Sequence, residues 1–306
     1  MNYFRQRGVA VIMVLLIVAI ATTLATYMAQ QQSLWQRQVE SQFERTQTRY
    51  LGVAGVDWAR AVLADDAHSS KTDHEKEMWT LRLPAIPVEG GEVIGSIEDR
   101  QGLFNLNNIV RNGVSSAPDV AQFQRLLALL GLPAELATAL ADWMDTDSEA
   151  QYPGGAEDVY YLALERAYRT ANRPLAELGE LVRVKGYSGN IIARLQPFVS
   201  VLPGPTTINV NFAPAEVLAA ILKNMSLSDA RILVHQRKDQ PFDDVADFKD
   251  RLQQFGGVQV VDSDISVISQ FFWVTGHATV GQAQVTTHAL LQRVNNWPTV
   301  VWQSVQ

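Results

Sequence analysis

The amino-terminal part of the chain combines two hydrophobic patterns that together predict one long helix. Residues 9–29 carry no charge, and a helix needs roughly 20 apolar residues to cross a hydrocarbon layer about 30 Å thick. Past this run, apolar positions recur at spacings of three, four or their sums, as in an amphipathic helix. They are Trp35, Val39, Phe43, Tyr50, Ala54, Trp58 and Ala61. Since no proline precedes Pro84, we expect a single helix over about residues 9–64, with residues 9–30 in the membrane and the rest on a soluble domain.

Period-two patterns predict strands near the middle of the chain and again at its end. Residues 78–88 and 92–98 are predicted to pair as a hairpin around Glu89-Gly90-Gly91. Three more strands are predicted at residues 271–280, 284–293 and 297–305. We expect all five to form one antiparallel sheet that the first helix covers, which is an α+β fold.

Between these two groups of strands the period changes to 3.6 and predicts an all-α insertion. The expected helices are 120–130, 133–144, 157–168, 175–182, 188–195, 214–222, 228–237 and 245–255, with Ser228 and Asp243-Asp244 as starts. A weak repeat relates FNLN at residues 104–107 to INVN at residues 208–211, each followed by helices. We interpret the asparagines as turn formers and backbone caps.

Composition limits the classes of partner. The net charge of −7 argues against a general nucleic-acid binder, and the absence of cysteine excludes disulfides. Residues 185–190 and 224–230 are similar to helix-hairpin-helix units, but the second has no glycine for a phosphate-binding loop. We therefore interpret them as packing modules and expect no nucleic-acid partner. A membrane-anchored helix-hairpin-helix DNA-binding protein is the alternative.

The residues before the apolar run form a short basic leader. Arg5 and Arg7 precede Gly8, and the apolar run begins at Val9. Positive charge on the short side predicts that the amino terminus stays inside and that the rest crosses the membrane. A cleavable secretory signal has an apolar core of only about 7–15 residues and fits less well, although small residues at 25–29 leave that reading open.

This leader and helix resemble the class III signal of type IV pilins and type II secretion pseudopilins. The resemblance implies that a prepilin peptidase cuts after Gly8 and methylates Val9. Most members carry glutamate at the fifth mature position, where this chain has Met13, and that difference resembles the K-type minor pseudopilins. It implies a pilin-like fold and a bacterial inner-membrane protein with a single span, a cytoplasmic amino terminus and a periplasmic bulk. It also implies a place at the pseudopilus tip, with other minor pseudopilins and exported proteins as partners.

The domain organisation expected from these patterns has four parts. They are a leader at residues 1–8, a membrane-spanning part at 9–30, a pilin-like domain at 31–110 and 265–306, and an inserted helical domain at 111–260. The partner-binding residues are expected on the first helix, along the stripe of Trp35, Val39, Phe43 and Tyr50.

One acidic segment carries candidate chemistry. Residues 142–158 read DWMDTDSEAQYPGGAED and hold six carboxylates without a lysine or arginine. Ca²⁺ takes six to eight oxygens from flexible loops. Asp145, Asp147 and Glu149 match the first three EF-hand positions, but Ala150 replaces the turn glycine and Ala156 the twelfth ligand. From the residues alone, a calcium loop and a solvated acidic loop stay open.

The family resemblance extends to this segment. K-type pseudopilins carry D-W-x-D-x-D followed by G-A-E-D and bind calcium there. The implied ligands are Asp142, Asp145, Asp147, Glu157 and Asp158.

Enzyme signatures are weak. The five histidines are scattered, and neither a G-x-S-x-G nor a P-loop pattern occurs. Asp145 and Asp147 could form a carboxylate pair for glycoside hydrolysis, but nothing else indicates a sugar cleft. We expect a structural protein without catalysis; an anchored hydrolase that uses the acidic loop is a third possibility.

Overall fold

A single helix dominates the structure. The computed structural model describes residues 7–82 and 84–306, so most of the predicted leader and Leu83 of the first predicted strand lie outside the described residues. Helix α1 runs without a break from Arg7 to Ser69, about 95 Å at 1.5 Å per residue. This confirms one continuous helix. Its apolar first part is exposed and is long enough to cross a membrane.

The remaining elements alternate short helices with strands. The other helices are α2 (Ala117–Leu129), α3 (Glu135–Met144), α4 (Asp158–Leu162), α5 (Gly189–Leu195), α6 (Ala215–Ile221), α7 (Leu227–Asp239) and α8 (Val245–Leu252). The strands are β1 (Ile86–Val88), β2 (Gly91–Asp99), β3 (Phe104–Asn105), β4 (Val110–Arg111), β5 (Val114–Ser115), β6 (Val199–Ser200), β7 (Ile208–Asn209), β8 (Ile265–Ser266), β9 (Phe271–Val280), β10 (Ala283–Gln292) and β11 (Thr299–Val305).

The predicted five-stranded antiparallel sheet is confirmed. Its order is β1-β2-β9-β10-β11, so β2 pairs with β9 across the whole helical insertion. Tight turns close the β1–β2 hairpin at Glu89-Gly90 and the β9–β10 hairpin at Gly281-Gln282. The insertion therefore connects two neighbouring strands of one sheet and leaves the sheet continuous.

The face of α1 that packs on this sheet is made of small and aliphatic residues. Thr48, Gly52, Val56, Ala59 and Leu63 are buried at spacings of four, four, three and four. A Cβ atom at Gly52 would collide with Oγ1 of Thr287, so glycine lets the helix approach β10 closely. The helix and sheet share a core with Phe272, Val274, Ala289 and Leu291.

The stripe of Trp35, Val39, Phe43 and Tyr50 does not pack on the chain's own sheet, so the expectation that all of α1 beyond residue 30 lies on the soluble domain is wrong. At about 100° per residue, the stripe lies roughly half a turn away from the buried face. Trp35, Val39, Phe43 and Tyr50 are between 48% and 72% exposed. The helix lies on the sheet through a face that includes small residues, because these allow its axis to come closer to the sheet.

The first predicted strand is also much shorter than expected. Residues 78–80 form a 3-10 helix, and only Ile86–Val88 pair with β2. Pro84 and Pro87 have no N–H to donate to a ladder. Trp79 instead turns into the core under α1, where its ring contacts Phe272 edge-on at 5.2 Å.

The helical insertion consists of two modules with the same entry motif. In the first, β3 pairs parallel with β6; in the second, β7 pairs parallel with β8. Their buried residues form one continuous core from Phe104 to Val267. Each module begins with an Asn-x-Asn motif, so the weak sequence repeat corresponds to a structural one.

The asparagines of this repeat act as predicted, as backbone caps. The Oδ1 atoms of Asn105 and Asn209 accept from the N–H groups two residues later. Asn107 exchanges two hydrogen bonds with the backbone of Leu175, and Asn211 does the same with Phe242. These bonds tie the start of each module to a distant segment.

Several helix predictions need correction. The helix expected at 157–168 ends at Leu162. The N–H and the Oγ1–H of Thr170 both donate to Oδ1 of Asp158, so the chain returns to the start of α4 instead of continuing as a helix. The segment expected at 175–182 is a 3-10 helix at Leu178–Arg183. Ser226, not Ser228, caps α7, because it forms a capping pair with Asp229.

Candidate metal centre and exposed helix surface

The acidic loop joins the end of α3 to the start of α4 and folds back on itself. Asp142 Oδ2 accepts from N–H of Gln151 at 3.0 Å, and Gln151 C=O accepts from N–H of Gly155 at 2.9 Å. A Cβ atom at Gly155 would collide with Asp142 Oδ2 and the backbone of Gln151, so only glycine fits there. Gly154 has φ +89°, a left-handed conformation that favours glycine. The glycine pair thus brings residue 157 back beside residue 145.

This fold-back gathers three of the predicted ligands. Asp145, Asp147 and Glu157 each offer a carboxylate oxygen, and these oxygens lie within 4.8 Å of one another. Asp142, Asp145 and Glu157 are buried, and among the described residues Oδ1 of Asp142, Oδ1 of Asp145 and Oε1 of Glu157 have no hydrogen-bond partner. Buried carboxylates without partners are costly unless a cation binds them. The donor set of hard oxygens therefore fits Ca²⁺.

The electrostatics of the loop agree with this geometry. Burial, then the charges of Asp142, Asp145 and Asp147, raise the pKa of Glu157 to about 7. Burial, then Asp147 and Asp142, raise the pKa of Asp145 to about 6. Burial also raises the pKa of Asp142. Burial and mutual repulsion thus favour the protonated form of these carboxylates, and a bound cation would relieve both costs.

The other acidic residues of the segment are placed differently. Asp158 faces away from this group, toward Thr170 and toward Arg169 at 3.4 Å. The backbone N–H of Glu149 donates to Asp147 Oδ1 at 2.8 Å, which positions Asp147. Lys185 reaches the loop, but its Nζ donates to the C=O of Gly155 at 3.1 Å instead of forming an ion pair with the carboxylates.

A second cluster of carboxylates, which the sequence did not predict, already contains a cation, the guanidinium of Arg293. Asp66, Asp73 and Glu77 also bring oxygens within 4.8 Å. Arg293 bridges Asp66 at 3.0 Å and Asp73 at 2.5 Å, so the end of α1 is fastened to the residue after β10. Only tertiary structure joins residues so far apart in sequence. We regard this group as a structural ion-pair network.

The predicted assembly residues lie along the exposed surface of α1. Gly8 is helical in its backbone, and Val9 and Met13 follow in the exposed apolar part of the helix. Further along, Trp35, Val39, Phe43 and Tyr50 form what we call the exposed stripe. A row of large apolar side chains in solvent is typical of interaction surfaces. The stripe has no partner within the described chain, since the sheet covers the opposite face.

Taken together, the fold defines a class of protein: a pilin-like subunit with a single-pass membrane anchor and a large helical insertion in its sheet. Comparison with known proteins gives the family. Two family profiles described as "Type II secretion system (T2SS), protein K" match residues 102–204 and 208–267. These two ranges correspond to the two helical modules. The chain belongs to the type II secretion system protein K family, the K-type minor pseudopilins.

Relatives and a solved structure agree with this assignment. Type II secretion system protein K of Pseudomonas aeruginosa is 35% identical over 94% of this chain and 89% of its own length. The Klebsiella pneumoniae protein of the same description is 33% identical over 96% of this chain and 94% of its own length. A chain in the crystal structure of the GspK-GspI-GspJ complex from enterotoxigenic Escherichia coli is similar with a TM-score of 0.74 and 26% identity. The match covers 88% of this chain and 99% of that one.

Proposed function

We propose that this chain caps the tip of the type II secretion pseudopilus and binds neighbouring minor pseudopilins through the exposed stripe. The observation that carries this proposal is the position of Trp35, Val39, Phe43 and Tyr50, exposed on the face of α1 opposite its own sheet. Helices associate through such apolar rows. The similar GspK chain was solved in a complex with GspI and GspJ, which supports partners of this kind.

The terminal position follows from the residue at the fifth mature position. A glutamate there in the pilin family is thought to neutralise the amino terminus of a neighbouring subunit. Met13 has a thioether without charge and cannot accept an ammonium group. An unpaired charge in lipid is expensive, so a subunit stacked above this chain would lack a partner for its amino terminus. A subunit without this glutamate cannot neutralise the amino terminus of a subunit above it, so we place it at the tip of the pseudopilus.

The size of the helical insertion supports the same position. Its packed core spans Phe104 to Val267, between β2 and β9, and more than half of the chain lies in it. Such a mass would obstruct close packing along a helical shaft, whereas an end position has room for it. The role is structural and requires no catalysis.

The membrane placement belongs to the same proposal. Arg5 and Arg7 favour an amino terminus in the cytoplasm, with α1 crossing the bacterial inner membrane and the domain in the periplasm. A prepilin peptidase would remove the leader after Gly8 and methylate Val9. Exported proteins would then meet the periplasmic domain at the tip.

Calcium is the metal we propose for the acidic loop. Asp142, Asp145, Asp147 and Glu157 would hold it, and the unpartnered buried oxygens of Asp142, Asp145 and Glu157 support this choice. Asp158, the fifth predicted ligand, would have to leave Thr170 and Arg169 to join them. The ion would neutralise the carboxylates and fix the loop; it would not take part in a reaction.

A pair of charge variants tests the stripe. Val39→Glu with Phe43→Glu, in the full-length chain, should abolish co-purification of other minor pseudopilins from detergent-solubilised membranes. The matched control is Gln38→Glu with Gln42→Glu, which adds the same two charges at the same spacing on another exposed face of α1. We expect the control to keep the complex.

Two results would contradict the proposal. One is an undiminished complex with the Val39 and Phe43 double variant. The other is labelled protein distributed along isolated filaments instead of at one end, which would exclude capping while leaving the stripe as an interface.

A further inference from the structure

Strand β11 forms an open edge of the five-stranded sheet. It is the last strand in the order β1-β2-β9-β10-β11, and within the described residues no strand pairs with its other side. Thr286 of β10 and Gln306 exchange two backbone hydrogen bonds, at 2.8 and 2.9 Å. Because such pairs alternate along an antiparallel ladder, the N–H and C=O groups of Gln303 and Val305 point away from β10. These four backbone groups can pair with an added strand.

This edge lacks the residues that usually prevent a free edge from pairing. Natural sheets protect their edges with charged side chains and prolines. The opposite edge, β1, is only three residues long and contains Pro87. In contrast, β11 reads TVVWQSV and has neither a charge nor a proline. A bulge at Val301 interrupts the ladder at one end and leaves residues 302–305 in regular register, so this part of the edge is the one open to pairing.

The open edge is continuous with the exposed stripe of α1. Nε of Arg60 donates to the C=O of Pro298 at 2.8 Å, so this side of α1 lies beside the start of β11. At about 100° per residue, Val53 lies on the same side of the helix as Arg60, and Tyr50 of the stripe lies about 60° further round. Val53 is itself exposed. A subunit that binds the stripe is therefore placed next to β11.

The regular part of the edge lies at the end of the sheet nearer the apolar part of α1. Glu44 accepts from N–H of Gln282 at 3.2 Å, and the C=O of Leu63 accepts from Arg293 at 3.3 Å, so α1 runs along β10 in the same direction. Since β11 is antiparallel to β10, Val305 lies at the Glu44 end. The helical insertion leaves the sheet at the other end, where Asp99 pairs with Phe272. It therefore does not obstruct a subunit that approaches residues 302–305 from the membrane side.

A groove at this end can receive a side chain of the added strand. Its volume is about 450 Å³, and it lies between α1 and the ends of β10 and β11. Val285 and Val305 supply apolar surface, and Arg45 and Arg49 line it from α1. Next to the edge, Val301 and Trp302 are 40% and 48% exposed. An added strand would cover these apolar side chains.

A second copy of this chain is excluded as the occupant by the direction of α1. Closed pairing of two identical edges needs a two-fold axis. With this axis perpendicular to the sheet, the two β11 strands run antiparallel, and so do the two α1 helices. Their apolar parts could not then cross the same membrane. The added strand belongs to a different subunit, whose first helix runs in the same direction.

We propose that an extended strand of the minor pseudopilin directly beneath this chain pairs with β11 at residues 302–305. Addition of a strand to an exposed sheet edge is a general mode of recognition, in which backbone hydrogen bonds supply affinity and side-chain contacts supply specificity. The stripe of α1 and the edge of β11 then form two parts of one interface. This inference rests on the proposed capping role, which places the neighbouring subunit on the membrane side.

Amide hydrogen exchange tests the pairing directly. The full-length chain is compared in detergent micelles, alone and in complex with the minor pseudopilins of the same secretion system, by mass spectrometry of peptides from residues 299–306. The amides of Gln303 and Val305 have no acceptor in the β10 ladder and should exchange rapidly in the free chain. We expect their exchange to slow by at least about tenfold in the complex, because the added strand supplies acceptors.

A backbone variant measures the contribution of the edge to binding. Gln303→Pro removes an N–H that points away from β10, a position at which edge strands tolerate proline. We expect it to weaken binding of the neighbouring pseudopilins about tenfold relative to Gln303→Thr, because an interface hydrogen bond is lost. Gln303→Thr changes the same side chain but keeps the N–H and a good strand former. Circular dichroism checks that both variants fold, and the exchange measurement on the unchanged chain needs no variant.

Three outcomes would overturn the inference. The first is a complex in which the β11 amides exchange as rapidly as in the free chain. The second is equal affinity of folded Gln303→Pro and Gln303→Thr. The third is protection of β11 that rises with the concentration of this chain alone, which would assign the edge to a second copy. If the Val39 and Phe43 double variant still abolishes the complex, each of these outcomes leaves the stripe as an interface and refutes only the strand pairing.

Discussion

Asp142 Oδ2 accepts a hydrogen bond from the backbone N–H of Gln151 at 3.0 Å, while the Oδ1 atom of the same carboxylate has no partner among the described residues. The first bond fixes the fold-back of the acidic loop. The second oxygen, together with those of Asp145 and Glu157, stays buried without compensation. Backbone hydrogen bonds thus fix the shape of the loop, but the buried carboxylate oxygens have no positive partner, and a bound cation would supply one.

Calcium should therefore stabilise the protein. A ligand that binds only the folded state at about 100 times its Kd contributes roughly 2.7 kcal/mol, which corresponds to an increase in Tm of several degrees for a domain of this size. We expect this increase on adding calcium after treatment with EDTA, measured by thermal unfolding of the full-length chain in detergent. Glu157→Gln should reduce it strongly, whereas Glu165→Gln, at an exposed position outside the group, should leave it unchanged. Equal increments in the two variants would contradict the site.

The same loop predicts a pH dependence of opposite sign with and without calcium. Burial raises the pKa of Glu157 to about 7 and of Asp145 to about 6, against ordinary values of 4.5 and 3.8. The folded chain without metal binds protons that the unfolded chain releases, so the free energy of unfolding should rise as pH falls from about 7 to about 4. Calcium needs ionised carboxylates, so its stabilising increment should be largest above about pH 7 and shrink through the same window.

The difference in Tm between calcium and EDTA at each pH measures this effect. Glu77 and Asp99 also have raised pKa values because they are buried, but they contribute to both conditions alike. Subtraction therefore isolates the loop. An increment that is the same at about pH 8 and about pH 5 would exclude the raised pKa values as its cause.

The Asn-x-Asn repeat should be as important for stability as a hydrophobic core position. Asn107 is buried and bonds the backbone of Leu175 and of Leu202. Asn107→Ala leaves these groups unpaired and should cost about 2–4 kcal/mol in urea unfolding. Asn211→Ala, which frees the backbone of Phe242, should cost a similar amount. Asn190→Ala, an exposed control in α5, should stay within about 0.5 kcal/mol.

Processing of the leader is testable by mass spectrometry. Protein purified from its native host should begin at Val9, with a mass that includes one methyl group. Gly8→Val should leave the leader attached, because the peptidase cuts after glycine in this family. An intact Met1, or cleavage near residue 29, would contradict the pseudopilin leader.

Local patterns in the sequence were sufficient for the elements whose environment is repetitive. The uncharged run and the absence of proline before Pro84 determined one continuous helix. Approximate alternation of apolar and polar residues predicted β9, which has the predicted bounds of Phe271–Val280, and the neighbouring strands of the sheet. The charge run at 142–158 identified the acidic loop, because six carboxylates without a lysine or arginine repel one another whatever the local fold.

Tertiary structure decided which faces and which atoms meet. The 3.6 period of α1 predicted an apolar stripe, but which face of the helix lies on the sheet depended on close contacts: Gly52 and Ala59 lie there, and a Cβ atom at Gly52 would collide with Thr287. Pro84 and Pro87 left only a short first strand, and the hydrogen bond that Thr170 N–H donates to Asp158 Oδ1 turns the chain back after α4. The same bond separates Asp158 from the three carboxylates that the glycine pair brings together.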